Sequence, residues 1–299
     1  MTFLKTLYQA IPLKRFPFGL MRQIWTPPFY KRLYASGSFR INVGDGCYFW
    51  MNGYEEYGIE TELFWKGIEG GWEVTSLAAW KQLCREAKTV LDIGANHGIY
   101  SLFTKAVNPR ARIVAFEPLQ SAYARLRANI SLNQFDIECF DFAISDCNGK
   151  ATFYSNNANS STESSLVRSR IDDSELVEIS VETRKLDTLC NALKLTHIDL
   201  MKIDVEGAES AVFEGMHQLL QHNRPNILIE VLTDEVGVEL DKMVSDLGYT
   251  YYDVNDDPRN GPLQIKKVDR IRKGTCLNLL LVNNKGNNII KNERSLWNS

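Results

Sequence analysis

The stretch VLDIGANHGIYS, from Val90 to Ser101, decides how this chain is read. An apolar run closes on Asp92, glycines follow at Gly94 and Gly98, and apolar residues then return at helical spacing. That order predicts a strand, a tight turn and a helix. Working outward, the rhythm repeats. Upstream, a helical pattern covers Leu77 to Glu86. Downstream come the strand RIVAFEP, a helix from Ser121 to Asn133, and the strands IECFDFAIS and HIDLMKIDV. A helix from Ala208 to His222, the strand NILIEV, a helix from Glu235 to Leu247, and the strands YTYYDV and CLNLLLVN complete the series. Strands alternating with helices over short connections predict an α/β protein with a doubly wound sheet covered on both faces.

Around this core the texture changes. Residues 1–75 are aromatic and rich in turn signals and read as an appendage, with short strands at Phe39 to Val43 and Cys47 to Met51 joined through Gly44-Asp45-Gly46. Residues 76–284 form the predicted domain, and 285–299 a polar tail. From Met1 to Arg40 there are seven Lys or Arg and no acid, so a net charge of −3 divides into +7 here and −10 in the remainder. Aromatics interleaved with those bases suit an anionic membrane surface or an acidic acceptor, and equally a packed aromatic core with a solvated basic face. The negative remainder argues against nucleic acid, which demands a basic stripe. A polar stretch, residues 156–170, interrupts the domain as either a functional or an unstructured loop.

Composition excludes several classes. At 44% apolar and 24% charged, the chain reads as an ordinary globular protein. No run approaches the ~18 residues of a membrane span, and the start lacks a secretory pattern, so a cytoplasmic location is expected, with the N-terminus a candidate for peripheral contact at the inner membrane surface. The six cysteines are scattered without a CxxC pair and read as free buried thiols, and the four histidines do not cluster, which leaves little support for a histidine-based metal site.

In a doubly wound sheet ligands sit at the carboxyl ends of strands, so the turn after TVLDIG is the place to look. A dinucleotide fingerprint fails there, because counting from Gly94 puts Asn96 and Ile99 where glycines belong. The spacing that fits is acid-x-Gly-x-[Gly or Asn]-x-Gly, filled by Asp92, Gly94, Asn96 and Gly98. It resembles the nucleoside-binding turn of class I S-adenosylmethionine-dependent methyltransferases. Asn96 is the residue best able to replace a middle glycine, since it tolerates left-handed angles. A sulfonium is cationic, so Asp92 is acceptable where a phosphate would be repelled. Glu117, 25 residues on and ending the next strand, is placed to accept both ribose hydroxyls.

Together, VLDIGANHGIYS, VAFEP, AISDCNG and KIDVEGAE (Lys202 to Glu209) resemble the FkbM-like methyltransferase family over roughly Trp72 to Asn283. The resemblance implies S-adenosylmethionine as cofactor and a Rossmann-like seven-stranded sheet with a reversed final strand. It also implies a turn in which Asp92, Gly94, Ala95, Asn96 and Gly98 face the cofactor, with adenine near Phe142 and Ala143. It implies O-methylation of a natural product or glycan.

An alcohol acceptor must lose its proton, which calls for a positioned base or a divalent metal. Asp204 falls at the carboxyl end of its strand beside the expected methyl group, Glu206 follows in the loop, and Glu230 ends the neighbouring strand. Two nearby carboxylates either push one pKa upward or share a hard cation such as Mg²⁺, so Asp204 and Glu230 are candidates for both roles. Glu206 and Glu209 have a second reading as favourable charge at a helix N-terminus, and Glu230 as partner of a backbone amide or of Lys202. His97, inside the turn, is a candidate base that has packing as its alternative. The expected partner is a glycan or another hydroxyl-bearing acceptor. A nitrogen or protein acceptor and a non-catalytic scaffold are the competing readings, the first distinguished by tolerance of Asp204 and Glu230 substitution and the second by lack of turnover.

Overall fold

The computed structural model describes residues 26–34, 36–54, 58–155, 164–165, 177–274 and 277–283. They fall into two compact units that divide between Trp72 and Glu73, three residues before the boundary expected from sequence texture. Most of the basic aromatic N-terminus, most of the 156–170 loop and the 285–299 tail lie outside the described residues.

In the first unit, β1 (Ser36–Gly44) and β2 (Cys47–Tyr54) form the expected antiparallel hairpin. The turn works because Asp45 and Gly46 both take positive φ, 54° and 76°, which matches the twist of the flanking strands. Alternation buries Phe39, Ile41, Val43, Phe49 and Met51 on one face. The helix α1 (Ile59–Gly70) covers that face, with Phe64 meeting Phe39 edge-on at 5.2 Å.

The second unit begins with α2 (Val74–Cys84), β3 (Thr89–Ile93), α3 (Ile99–Val107), β4 (Arg112–Phe116), α4 (Gln120–Asn133) and β5 (Glu138–Phe140). There the single strand expected over IECFDFAIS breaks. Its second part, β6 (Ala143–Ile144), leaves the central sheet and joins β7 (Gly149–Ser155), β8 (Ser164–Ser165) and β9 (Val177–Arg184) in a separate four-stranded sheet ordered β6-β9-β7-β8. The chain returns through α5 (Leu186–Ala192), β10 (Leu200–Ile203), α6 (Glu209–Gly215), α7 (His217–His222), β11 (Asn226–Glu230), α8 (Asp234–Val244), β12 (Thr250–Asn255), β13 (Gln264–Val268) and β14 (Asn278–Val282).

The central sheet runs β13-β12-β14-β11-β10-β3-β4-β5. Seven of these strands give the order that the resemblance implies, with β14 antiparallel to both neighbours. The eighth, β13, corrects the expected count: its sequence, QIKKV, buries only Ile265 fully and pairs along the outer edge of β12. A charged edge strand of this kind resists pairing with another chain, and its weak alternation hides it in the sequence.

Alternation along the parallel strands sends Leu91, Ile93, Val114, Phe116, Met201, Ile203, Ile227 and Ile229 into one core with residues of α5 to α8. The residues between them, Asp92 and Lys202 among others, face the opposite side, toward α2 and α3. No helix among the described residues is long and apolar enough to cross a membrane.

Candidate functional site

At the carboxyl end of β3 the backbone enters the turn through Gly94, whose φ is +78°. A Cβ there would stand 1.8 Å from the Asp204 carbonyl oxygen, and one on Gly98 would stand 2.4 Å from a Leu126 methyl. Gly94 is therefore demanded by a backbone contact and Gly98 by its φ of +88°, independently of any ligand. Asn96 takes a positive φ of 49°, as its place in the spacing predicts. Its Oδ1 is buried without a hydrogen-bond partner, an orphan acceptor inside the turn that costs free energy until a donor reaches it. Ala95 is buried, its amide held by the Phe116 carbonyl at 3.0 Å.

Asp92 is only 2% exposed, and its Oδ2 accepts from both the amide (3.0 Å) and the hydroxyl (2.6 Å) of Ser101. Asp92 thus pins the first turn of α3, a structural role that the sequence reading did not assign. Burial pushes its carboxyl up to about 6, against the Ser101 bonds and the Lys202 charge. Glu117, 6% exposed, accepts from the Leu119 amide through Oε1 and from the Asn96 amide through Oε2, both at 2.9 Å. The two bonds lock the carboxylate over the turn, each oxygen keeping a lone pair for a further donor. Burial again dominates and raises it to about 7. Beside it Phe116, Phe140 and Phe142 form a wall with ring centroids 5.4 to 5.8 Å apart, the Arg184 guanidinium 5.7 Å from the Phe142 ring and Ala143 buried next to it. These residues would hold a nucleoside: the partly buried Phe140 and Phe142 as apolar surface, the Glu117 carboxylate for hydroxyls, and the unused amide oxygen of Asn96.

The second half of the site lies where β10 and β11 end. Carboxylate oxygens of Asp204, Glu206 and Glu230 lie within 4.8 Å of one another, so Glu206 joins the expected pair. The positive φ of Glu206, 54°, turns the chain there, and Gly207 donates its amide to Glu209 Oε1 at 2.9 Å. Glu209, fully buried at the start of α6, therefore serves the helix and not the cluster. His97 is buried, and its carbonyl is anchored by Asn129 Nδ2 of α4 at 2.9 Å.

Lys202 is the cation of this region and is 1% exposed. The sequence reading offered it to Glu230; the structure puts its ammonium 3.3 Å from Asp204 Oδ2, 3.3 Å from Asn278 Oδ1 and 5.2 Å from the Tyr100 ring centroid. Burial works against that charge, but Asp204 first, then Glu73 and Glu230, outweigh it, and the pKa is raised. Glu230 is raised too, by desolvation and then by Asp204, with Lys202 opposing. The expected splitting of the pair thus leaves Glu230 protonated, a hydrogen-bond donor at neutral pH.

Four participants escaped the sequence reading: Glu73, Tyr100, Asp256 and Asn278. Glu73 takes a left-handed conformation, φ 46° and ψ 45°, immediately before α2, and accepts a short hydrogen bond from the Tyr100 hydroxyl. Its carboxyl is raised by burial, with Lys202 pulling it back and Asp204 and Asp256 pushing it further. Asp256 clamps Thr75 and Ser76 in the first turn of α2, accepting from the Thr75 amide (2.7 Å), the Ser76 amide (2.8 Å) and the Ser76 hydroxyl (2.6 Å), and accepts from Asn278 Nδ2 at 3.3 Å. The contacts close a ring from Glu73 through Tyr100, Lys202, Asn278 and Asp256 back to the start of α2. A non-glycine residue held left-handed inside such a ring is strain kept in place by its surroundings. The only sequence signal was the isolated Lys202 in an otherwise apolar strand.

The sequence model for the methyltransferase FkbM domain matches residues 92–251, more than half of the chain. The 2-O-methyltransferase NoeI of Sinorhizobium fredii is 35% identical over 147 residues, which cover 45% of this chain and 60% of that protein. The 31-O-demethyl-FK506 methyltransferase FkbM of Streptomyces tacrolimicus is 27% identical over 157 residues, 44% of this chain and 60% of that one. Each match thus spans less than two thirds of the relative's length. Among solved structures, a methyltransferase FkbM from Methylobacillus flagellatus superposes with a TM-score of 0.42 at 14% identity, covering 66% of this chain and 44% of that one. The domain match runs from Asp92 of the glycine turn to Tyr251 in β12 and takes in both halves of the site: the chain belongs to the FkbM methyltransferase family.

Proposed function

We propose that the protein transfers a methyl group from S-adenosylmethionine to a hydroxyl of a sugar or glycoconjugate. The observation that carries this reading is the pairing of a nucleoside-shaped half-site, Glu117 with the phenylalanine wall and the Asn96 turn, with a proton-handling half-site at the next strand ends. The names of the relatives, 2-O-methyltransferase and 31-O-demethyl-FK506 methyltransferase, support oxygen as the acceptor atom.

Glu117 accepts the ribose hydroxyls, Phe142 and Ala143 flank the adenine, and Asn96 Oδ1, which has no donor within the protein, accepts from the cofactor. When bound, S-adenosylmethionine supplies an activated methyl group. The chain's task is then to place the acceptor oxygen in line and to take its proton, and alignment alone supplies several kcal/mol. Asp204 receives that proton while Lys202, 3.3 Å away, steadies the carboxylate. Protonated Glu230 donates to the acceptor and orients it. The alternative use of Asp204, Glu206 and Glu230, a hard divalent cation, is favoured by the 4.8 Å clustering of their oxygens and opposed by the ammonium already on Asp204.

Calorimetric titration with S-adenosylmethionine, followed by a screen of glycan acceptors with labelled cofactor, tests the reading. Asp204→Asn is expected to bind cofactor and lose turnover, and a chelator to leave turnover intact. A wild-type protein that binds no S-adenosylmethionine would falsify the proposal, whereas loss of turnover on chelation moves the carboxylates to the metal role.

A further inference from the structure

One cavity stands outside the machinery described above. It measures about 410 Å³ and is walled by β12, β13, the segment after β13 and the start of β14. Lys266, Arg270, Arg272 and Lys273 line it, joined by the neutral Asn255 and Gln264, with Asp253 the one carboxylate. Four cations against one acid give a local charge of the opposite sign to the chain as a whole, which carries −3. All four cationic residues are exposed, and none of their side chains has a hydrogen bond or ion pair among the described residues. Four cationic side chains thus converge on one hollow that holds a single carboxylate.

The cavity's place in the sheet gives it a purpose. β12 is antiparallel to β14 and β14 to β11, so β12 and β11 run the same way, and Asn255 ends its strand on the rim where Glu230 ends its own. Asp253 and Leu279, both in the cavity wall, are register partners, and Leu279 pairs onward with Ile229, the residue before Glu230. Two inter-strand spacings, roughly 10 Å, separate the strands that carry the two sites, with the cavity wall on the face that Ile229 shares and Glu230 on the opposite face, so the rim of the sheet lies between them. A molecule that passes over that rim meets positive charge on one face and Asp204, Glu206 and Glu230 toward the other. Such a field orients a polar acceptor before any close contact forms.

We propose that this cavity is an anion subsite that holds a phosphate or pyrophosphate group of the acceptor, whose neutral hydroxyl then reaches Asp204. Arginine supplies forked donors matched to phosphate oxygens and lysine a point charge, so the lining suits phosphate chemistry. The purpose of the subsite rests on the methyl-transfer reading, while the binding of phosphate does not. A lipid-borne phosphate and a soluble phosphorylated sugar share this chemistry.

The test uses the full chain and two probes, inorganic pyrophosphate in titration calorimetry and phosphatidylcholine vesicles containing phosphatidylglycerol in sedimentation. Pyrophosphate is expected to saturate one site and to bind about tenfold or more weakly to Lys266→Glu/Arg272→Glu, the cost of reversing two phosphate contacts being at least ~1.4 kcal/mol. A second variant, Arg270→Ala/Lys273→Ala, should weaken binding in the same direction, which guards against misfolding of the first. Vesicle sedimentation that the swap abolishes assigns the phosphate to a lipid, and pyrophosphate binding without sedimentation assigns it to a soluble acceptor. No saturable binding, or binding equal in wild type and both variants, overturns the subsite. S-adenosylmethionine titrated into the same variants should bind as in wild type; failure of wild type to bind it removes the methyl-transfer reading and leaves the anion result standing.

Discussion

Individual residues carry the electrostatic design of the site. Lys202 is buried among carboxylates, and breaking such an arrangement by removing one partner typically costs ~3 to 5 kcal/mol because charge is left uncompensated. Lys202→Met should therefore destabilise the protein by about that amount at pH 8. The sign follows from the raised pKa: the lysine's contribution is complete below its unfolded value and is lost only as pH rises through the higher folded one. In the variant, Glu73 answers the loss by binding a proton, Glu230 already holding its own, so the penalty should shrink at pH 5.5, as urea unfolding at the two pH values would reveal. Gly94→Ala is the steric counterpart. A methyl group 1.8 Å from the Asp204 carbonyl, at φ +78°, cannot be relieved by a side-chain rotation and should cost about 3 kcal/mol or more in the same assay. An equal midpoint for Gly94→Ala and wild type would mean that the close approach of β3 and β10 is not as drawn.

Among the elements, several helices are started by residues far away in the chain. The helical pattern from Ala208 to His222 predicts one helix; the structure breaks it at Met216, between α6 and α7. Two contacts account for the break. A Cβ on Gly215 would stand 2.0 Å from the Ser145 carbonyl oxygen, so α6 ends against another segment, and Asp187 of α5 accepts from the Gln218 and Leu219 amides, both at 2.9 Å. These amides are the unsatisfied donors of a new helix start, and Asp187 caps them from outside. Asp187→Ala should cost about 1 kcal/mol, read as a lowered denaturation midpoint with the cofactor affinity unchanged. By contrast α8 has a local cap, Thr233 accepting from the Val236 amide at 3.3 Å, which is the form of signal a sequence displays. Asp256 does for α2 what Asp187 does for α7, and it joins that helix start to the Lys202 ring.

For the molecule as a whole, the site imposes a pH dependence on stability. Glu117 at about 7 and Asp92 at about 6 both lie above their ordinary values, so the folded state holds protons that the unfolded chain releases. A raised pKa gives stability that is complete below the unfolded value and lost as pH climbs through the folded one. The contribution of Glu117 should therefore fall between about pH 4.5 and 7, by on the order of 3 kcal/mol for a shift of this size. Glu117→Gln should flatten that part of the profile in denaturant titrations from pH 5 to 8, and an unchanged slope would show that Glu117 is not buried as a carboxyl. Ionised Glu117 meets only like charge, from Asp92 and Asp204, a cost that a cationic ligand offsets, so affinity for S-adenosylmethionine should rise with pH through this window.

What the sequence determined by itself is the part written in short periods. The alternation of strand and helix, the glycine turn with its left-handed Asn96, the β1–β2 hairpin and the acids that close their strands at Asp92, Glu117, Asp204 and Glu230 are all local patterns, and a parallel sheet brings strand ends to one rim whatever else the chain does. Only the tertiary structure decided that Glu73 and Tyr100 belong to the site, that Lys202 serves Asp204, that Asp92 and Glu209 hold helices, and that β13 adds an edge strand beside a basic hollow. The reason is physical. A hydrogen bond between residues 180 apart, such as Ser76 to Asp256, leaves no trace in local spacing, and the protonation of Glu230 or Glu117 is set by how much water and which charges surround it once the chain has folded.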